Sequence, residues 1–199
     1  MMVYFFRHGE TEWNKEHRYQ GAKNSPLTAY GKSQIELVCS IFEKEPDLPK
    51  PLKVYVSPLE RAVETAEILA RHIDIDLIPE DRLREVSLGS WDGMTQDEIR
   101  VQYPHALDGA KPYNWYFKSP DGENLVSAKR RIATWLSEVS NQTVCAVAHG
   151  LIGRVLIGIY LGLSDDEFLK VAIAQDAFYK IHGGKVYAIG KGVLNFDEA

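Results

Sequence analysis

Two runs of consecutive apolar residues constrain the fold of this chain more than any other sequence feature. They are Met2–Phe6, rich in β-forming side chains, and Thr143–Ala148. A strand that is apolar on both faces belongs in the middle of a parallel sheet that helices cover on both sides. Both runs are therefore predicted to be central strands of such a sheet.

Strand and helix patterns alternate along the rest of the chain. Further strands are predicted at Lys53–Val56, Asp76–Pro79, Phe178–His182 and Val186–Ile189. Helices are predicted after Thr28, after Ser57-Pro58, near Thr95–Tyr103, after Asn124 and over Leu151–Leu161. This order indicates an α/β layered fold with a mostly parallel sheet. The apolar stripes of the first two helices are assigned to sets that include Tyr30, Leu37 and Val63.

Composition and charge exclude several classes of protein. A chain of 199 residues with 45% hydrophobic and 26% charged residues fits one globular domain. The net charge of −5 argues against a general nucleic-acid binder. The apolar run at the start is too short to cross a membrane, and no basic segment precedes it, so a cytoplasmic protein is expected. Cys39 and Cys145 lie in apolar stretches and are expected to be free core thiols.

Basic side chains lie at or just beyond the ends of three predicted strands. Arg7 and His8 end the first strand, Arg61 lies one turn into the helix after Ser57, and His149 follows Thr143–Ala148. Open α/β sheets bind ligands beyond the carboxyl ends of their strands, so these side chains are expected to converge. The planar guanidinium of arginine presents N–H donors in a fork that matches phosphate oxygens. A neutral imidazole can accept a phosphoryl group covalently. The cluster therefore indicates a phosphoryl site with His8 as nucleophile.

These histidines also have a structural and a metal-binding interpretation. A histidine at a strand end is often only structural, but here two occur, and each precedes a glycine, Gly9 or Gly150, suited to a close approach of backbone to ligand. A metal site on His8 and His149 is disfavoured, because Arg7 would oppose a cation and no carboxylate–histidine spacing typical of metal sites is present. The residues therefore argue against a metal site.

Cleavage of a phosphate ester also needs a proton donor for the leaving oxygen. Glu85 is the candidate, but composition alone does not separate it from Glu80, Asp81 and Asp92. The other histidines, among them His17, are assigned to surface roles.

Five segments in order resemble the histidine phosphatase superfamily, in its phosphoglycerate-mutase-like branch. They are RHGETEWN at 7–14, YQGAKNSPLTAYGKSQ at 19–34, SPLERAVETA at 57–66, LREVSLGSWDG at 83–93 and VAHGLIGR at 147–154. The resemblance implies a single-domain, three-layer α/β/α sandwich over 1–199, with neither a metal nor an organic cofactor.

The resemblance also implies roles for individual residues. His8 would be phosphorylated, Arg7, Arg61 and His149 would bind the phosphoryl group, and Glu85 would act as general acid and then base. The remaining phosphate-binding positions would be Asn14, Gln20, Gly21 and Gly150.

Three activities remain open from the sequence. The chain is short, has Glu10-Thr11 after the first His-Gly, and carries the acidic Glu64, all of which favour a phosphatase similar to the broad-specificity and alpha-ribazole types. A cofactor-dependent phosphoglycerate mutase is the alternative, and a non-catalytic domain that binds phospho-ligands is the second. Leu151 and Asn124 stand where the family often has glycine and serine. These two differences bear on the identity of the substrate more than on the chemistry. The expected partner is a small phosphorylated metabolite, and the sequence does not decide whether the chain is a homodimer.

Residues 86–122 are expected to form a lid over the site. The aromatic residues Tyr113, Trp115, Tyr116 and Phe117 either line an apolar or sugar-binding pocket or pack the lid onto the core, and the second is favoured. Lys111 and Lys118 are candidates for a second anion contact.

Overall fold

A mixed seven-stranded sheet forms the centre of the computed structural model, which describes residues 1–46, 48–190 and 194–195. The strands are β1 (Met2–Arg7), β2 (Leu52–Val56), β3 (Ile75–Pro79), β4 (Thr143–Ala148), β5 (Ala177–His182), β6 (Lys185–Gly190) and β7 (Leu194–Asn195). The helices are α1 (Glu12–Lys15), α2 (Ala29–Phe42), α3 (Glu60–Leu69), α4 (Gln96–Gln102), α5 (Leu125–Glu138), α6 (Gly150–Leu161) and α7 (Asp165–Phe168). None of these helices is long and apolar enough to cross a membrane.

The strand order in the sheet is β3-β2-β4-β1-β5-β6-β7. The four strands β1 to β4 pair in parallel, and β5, β6 and β7 are added antiparallel to their neighbours. Because two successive antiparallel pairings restore the direction, β6 runs the same way as β1, and five of these seven strands share one direction. The prediction of a mostly parallel sheet is confirmed.

Helices cover both faces of the sheet. The alternation along β1 places Val3 and Phe5 in one core layer and Tyr4 and Phe6 in the other. Buried residues of α5 and α6 pack in the first layer, and those of α2 and α3 pack in the second. The three-layer α/β/α arrangement is therefore confirmed, and β1 and β4 are its central, fully covered strands.

The inward faces of α2 and α3 differ from the predicted stripes. Tyr30, Leu37 and Val63 are 62%, 39% and 37% exposed, so their assignment to the core was wrong. The Thr28 side chain caps α2 by accepting from the Gly31 N–H, so the helix starts where it was predicted and only its buried side differs. The buried residues of α2 are Gly31, Ile35, Val38, Cys39 and Phe42.

The region 86–122 contains α4 and short 3₁₀ turns. Trp91 and Trp115 are buried and pack in the core layer that α5 and α6 form. The Tyr19 and Trp115 rings meet edge to face at 4.4 Å, which joins this region to the loop after α1. Packing of Trp115 onto the core agrees with the favoured interpretation of the aromatic segment.

Candidate active site

The strand register brings the three predicted strand ends together. Arg7 pairs with Ala148, and Val56 pairs with Val147, so β1, β4 and β2 end side by side. The His8 N–H donates to the Ala148 carbonyl at 3.0 Å. As a result, the His8 and His149 rings lie 5.3 Å apart between their centroids.

His8 is held in one tautomer. Its ring is 3% exposed, and Nδ1 lies 2.7 Å from the Gly9 carbonyl oxygen. A carbonyl only accepts, so Nδ1 carries the proton and Nε2 keeps its lone pair. Burial, together with the charges of Arg61 and Arg7, holds the pKa of His8 well below its usual value. The ring is therefore neutral at neutral pH and competent as a nucleophile.

His149 has both ring nitrogens engaged by the protein. Its Nδ1 lies 3.2 Å from Nε of Arg61, which only donates, so Nδ1 accepts and Nε2 carries the proton. Nε2 then donates to Oγ of Ser57 at 2.7 Å. Burial holds the pKa of His149 well below its usual value. His149 is not among the residues that line the cavity, and its contact with Arg61 orients that guanidinium; contact of His149 with phosphate stays a prediction.

Arg61 is 1% exposed and is fixed at three points. Besides His149, it donates from Nη1 to the Lys23 carbonyl at 2.6 Å and from Nη2 to the Gly21 carbonyl at 2.8 Å. A guanidinium has five N–H groups, so two remain for a ligand. Burial lowers the pKa of Arg61 to about 10, which leaves it charged at neutral pH.

Arg7 contributes more free donors. Its Nη1 donates to the Ile173 carbonyl at 2.7 Å, and its buried Nε has no hydrogen-bond partner among the described residues. A buried donor without an acceptor is costly, so an anion in the cavity would stabilise it. Burial lowers the pKa of Arg7. Arg7, Arg61 and His8 all line the same cavity.

Glu85 is the one of the four acidic candidates that lines this cavity. Its carboxylate accepts from the N–H groups of Leu151 and Ile152, in the first turn of α6, at 3.1 Å each. The positive end of a helix stabilises a carboxylate there. Glu80 is instead paired with Arg82, and Asp92 accepts from the backbone of Leu88 and Ala22, where burial raises its pKa.

The remaining predicted positions also line the cavity: Asn14, Gln20, Gly21 and Gly150. Oδ1 of Asn14 accepts from Gln175 at 3.0 Å and from the Thr11 N–H at 3.2 Å, which leaves its Nδ2 to donate to a ligand. Gly21 has a φ of +50°, and a Cβ there would lie 1.6 Å from Oδ1 of Asp92. Only glycine fits this turn.

Several cavity residues were not found from the sequence. His17, Arg18, Tyr116 and Arg154 line the cavity, and Gln175 supports it. Arg154 is four residues after Gly150 on α6, so helical spacing places it on the same face and could have indicated it. His17 was assigned to a surface role, and it borders the cavity although it is exposed.

The two lysines proposed for a second anion contact lie elsewhere. Lys111 pairs with Asp166 at 2.5 Å, and neither it nor Lys118 lines this cavity. In the described part of the chain, no group of three or more His, Cys, Asp or Glu residues could hold a metal ion.

Comparison with known proteins identifies the family of this arrangement. Residues 3–185 match the family model of the histidine phosphatase superfamily (branch 1). "Phosphoserine phosphatase 1" of Hydrogenobacter thermophilus is 32% identical over 183 residues, which cover 88% of this chain and 83% of that protein.

Two further relatives bear different names. "Probable phosphoglycerate mutase GpmB" of Photorhabdus laumondii is 33% identical over 172 residues, covering 82% of this chain and 76% of that protein. The solved structure of the mycobacterial glucosyl-3-phosphoglycerate phosphatase Rv2419c with VO3 has a TM-score of 0.76 and 26% identity, with 90% of each chain covered.

Proposed function

The chain belongs to branch 1 of the histidine phosphatase superfamily and is a hydrolytic phosphatase, and from that membership we propose that it cleaves small phosphomonoesters through a phosphohistidine on His8. The observation that carries the proposal is the tautomer of His8. Its Nδ1 proton is held by the Gly9 carbonyl, so the lone pair of Nε2 is available beside two guanidinium groups.

In the first step, Nε2 of His8 attacks phosphorus and the bond from phosphorus to the ester oxygen breaks. Arg7 and Arg61 neutralise the charge on the transferring group with N–H groups that the protein leaves free. Glu85 accepts hydrogen bonds as a carboxylate in the free protein, so it takes up a proton before this step and gives that proton to the leaving oxygen. The products are an alcohol and the phosphorylated enzyme.

In the second step, water attacks phosphorus and gives its proton to the Glu85 carboxylate. The N–P bond breaks, the electron pair returns to Nε2, and inorganic phosphate leaves. Both His8 and Glu85 regain their starting states, so no further reactant is needed. His149 and Asn14 act as supports: His149 holds Arg61, and Asn14 donates from Nδ2 to a phosphate oxygen.

The size of the cavity supports a small substrate. Its volume is about 270 Å³, which is below the range usual for drug-sized ligands. Val86, Leu88 and Tyr116, all from the region 86–122, form part of its wall. We therefore include in the proposal that this region is the cover that shields phosphohistidine.

A metabolite panel tests the proposal. Released phosphate is measured for phosphorylated metabolites and p-nitrophenyl phosphate, and exchange between 2- and 3-phosphoglycerate is measured in parallel. We expect phosphate release that His8→Ala reduces by roughly a thousand-fold or more. His105→Ala, on an exposed histidine, is the matched control. Phosphoglycerate exchange faster than phosphate release, or full activity of His8→Ala, would contradict the proposal.

A further inference from the structure

Arg154 lies on the wall of the cavity, one turn of α6 beyond Gly150. It has no ion pair among the described residues, although it is partly buried. Arg18, the other additional arginine of the wall, differs in this respect. It is already paired with Glu98 at 2.6 Å and with Glu16 at 3.1 Å. Arg154 is thus a cation of the site whose charge no acidic side chain balances.

One edge of the Arg154 guanidinium is fixed and the other is free. Nη1 donates to the Leu169 carbonyl at 2.9 Å, and Cζ lies 5.9 Å from the centre of the Tyr116 ring. Nε is buried without a hydrogen-bond partner in the described part of the chain, and Nη2 has none there either. The carbonyl and the ring hold the plane of the group, while the edge formed by Nε and Nη2 has no acceptor.

We propose that this free edge binds a carboxylate of the substrate while Arg7 and Arg61 bind its phosphoryl group. The inference rests on the proposed phosphatase function and specifies its substrate class. Two parallel N–H donors on one edge match the two oxygens of a planar carboxylate. The substrate would satisfy a buried donor that the free protein leaves unpaired. The substrates are then phosphomonoesters that carry a carboxylate a few bonds from the ester oxygen.

A second phosphoryl group fits this position less well than a carboxylate does. The free edge belongs to a single guanidinium, and Arg18 is neutralised by its two acidic partners. The volume of about 270 Å³ also favours a compact substrate over a bisphosphate. These features limit the second anion to a small group of one negative charge.

A matched pair of substrates tests the inference. O-phosphoserine and O-phosphoethanolamine differ only in the carboxylate, so the ratio of their kcat/KM values isolates its recognition. We expect the enzyme to prefer phosphoserine and Arg154→Met to lower that ratio about 30-fold, the effect of losing a charged hydrogen bond. Arg154→Lys should fall between, because it keeps the charge and loses the fork. Arg130→Met, at an exposed arginine of α5, should leave the ratio unchanged.

The ratio of the two kcat/KM values also separates lost recognition of the carboxylate from poor folding, because poor folding lowers both kcat/KM values equally. A ratio kept within about threefold in Arg154→Met overturns the inference. Faster turnover of propane-1,3-diol bisphosphate than of phosphoserine would show that Arg154 binds a second phosphoryl group and not a carboxylate, which overturns the inference. If neither substrate nor p-nitrophenyl phosphate yields phosphate, the proposed function itself fails. Hydrolysis of p-nitrophenyl phosphate without any preference for phosphoserine rejects only the role of Arg154.

Discussion

The tautomers of the two buried histidines, His8 and His149, determine which ring nitrogen can attack phosphorus and which can hold Arg61. The sequence was sufficient to predict that both rings meet, because each follows an apolar strand. It was not sufficient to predict their tautomers, since these depend on the Gly9 carbonyl, Oγ of Ser57 and Nε of Arg61. Glu85 was separated from the other acids only by the resemblance, and its contact with α6 is a tertiary feature.

Gly21 offers a test of the phosphate turn. Gly21→Ala would place a methyl group on the Asp92 carboxylate and move the carbonyl that holds Arg61. We expect the free energy of unfolding to fall by about 2 kcal/mol and kcat/KM to fall at least about tenfold. Urea unfolding and phosphate release measure the two effects.

The matched control is Gly183→Ala in the turn between β5 and β6. Gly183 has a φ of +60°, close to the +50° of Gly21, but no atom lies within 4 Å of a Cβ built there. It should lose about 1 kcal/mol of stability, as a backbone strained in the same way does, and keep its activity. Equal losses of activity in both variants would show that the contact with Asp92 has no role.

The segment 169–175 between α7 and β5 supports much of the site. The Leu169 carbonyl accepts from Arg154, the Ile173 carbonyl accepts from Arg7, and Gln175 donates to Asn14 and to the His8 carbonyl. Two of these residues act through backbone carbonyls, which carry no side-chain signal. For this reason the segment was not predictable, although the strands and helices around it were.

Gln175→Met tests this support. The variant keeps the length of the side chain and removes the donor to Asn14 and to the His8 carbonyl, which lie at 3.0 Å and 3.2 Å. Asn14 Oδ1 then keeps only the Thr11 N–H as a donor among the described residues, so the amide is held less firmly, and we expect kcat/KM to fall about tenfold, mostly through KM. Gln102→Met, at an exposed end of α4, is the control. Equal kinetics in the two variants would exclude a positioning role for Gln175.

The free energy of unfolding of the whole protein depends on pH because His8 and His149 are buried as neutral rings. His8 and His149 have lowered pKa values when folded, so below about pH 6.5 the unfolded chain binds protons that the folded chain does not. Stability must therefore fall with pH in that window. His72 has the opposite effect, because the hydrogen bond to Glu36 raises its pKa. Its contribution to stability is present at low pH and is lost as the pH rises through the raised pKa of the folded state.

Urea unfolding at pH 7 and pH 5.5 measures this cost. Two neutral histidines predict a loss of about 2 kcal/mol on acidification, and His8→Asn should remove about half of that loss. His105→Asn, at an exposed histidine, should leave the loss unchanged. A loss that His8→Asn does not alter would mean that the His8 ring is protonated in the folded protein near pH 6.

The fold class was predictable because it depends on features of many residues, such as the continuous apolar strands β1 and β4. Outward residues such as Tyr30 show where the prediction failed: the start of α2 after Thr28 was correct, but which side of the helix faces the core depends on packing against the sheet. The choice of substrate depends on still fewer atoms, namely one free edge of Arg154.

Trapping of the phosphorylated enzyme decides whether His8 carries the phosphoryl group. The enzyme is mixed with excess p-nitrophenyl phosphate, quenched in alkali within the first turnovers, digested and mapped by mass spectrometry. We expect one phosphoryl group on Nε2 of His8, formed in a burst with the first release of nitrophenol and absent from His8→Ala. Rapid phosphate release with no phosphorylated His8, or with the phosphoryl group on another residue, would contradict this expectation.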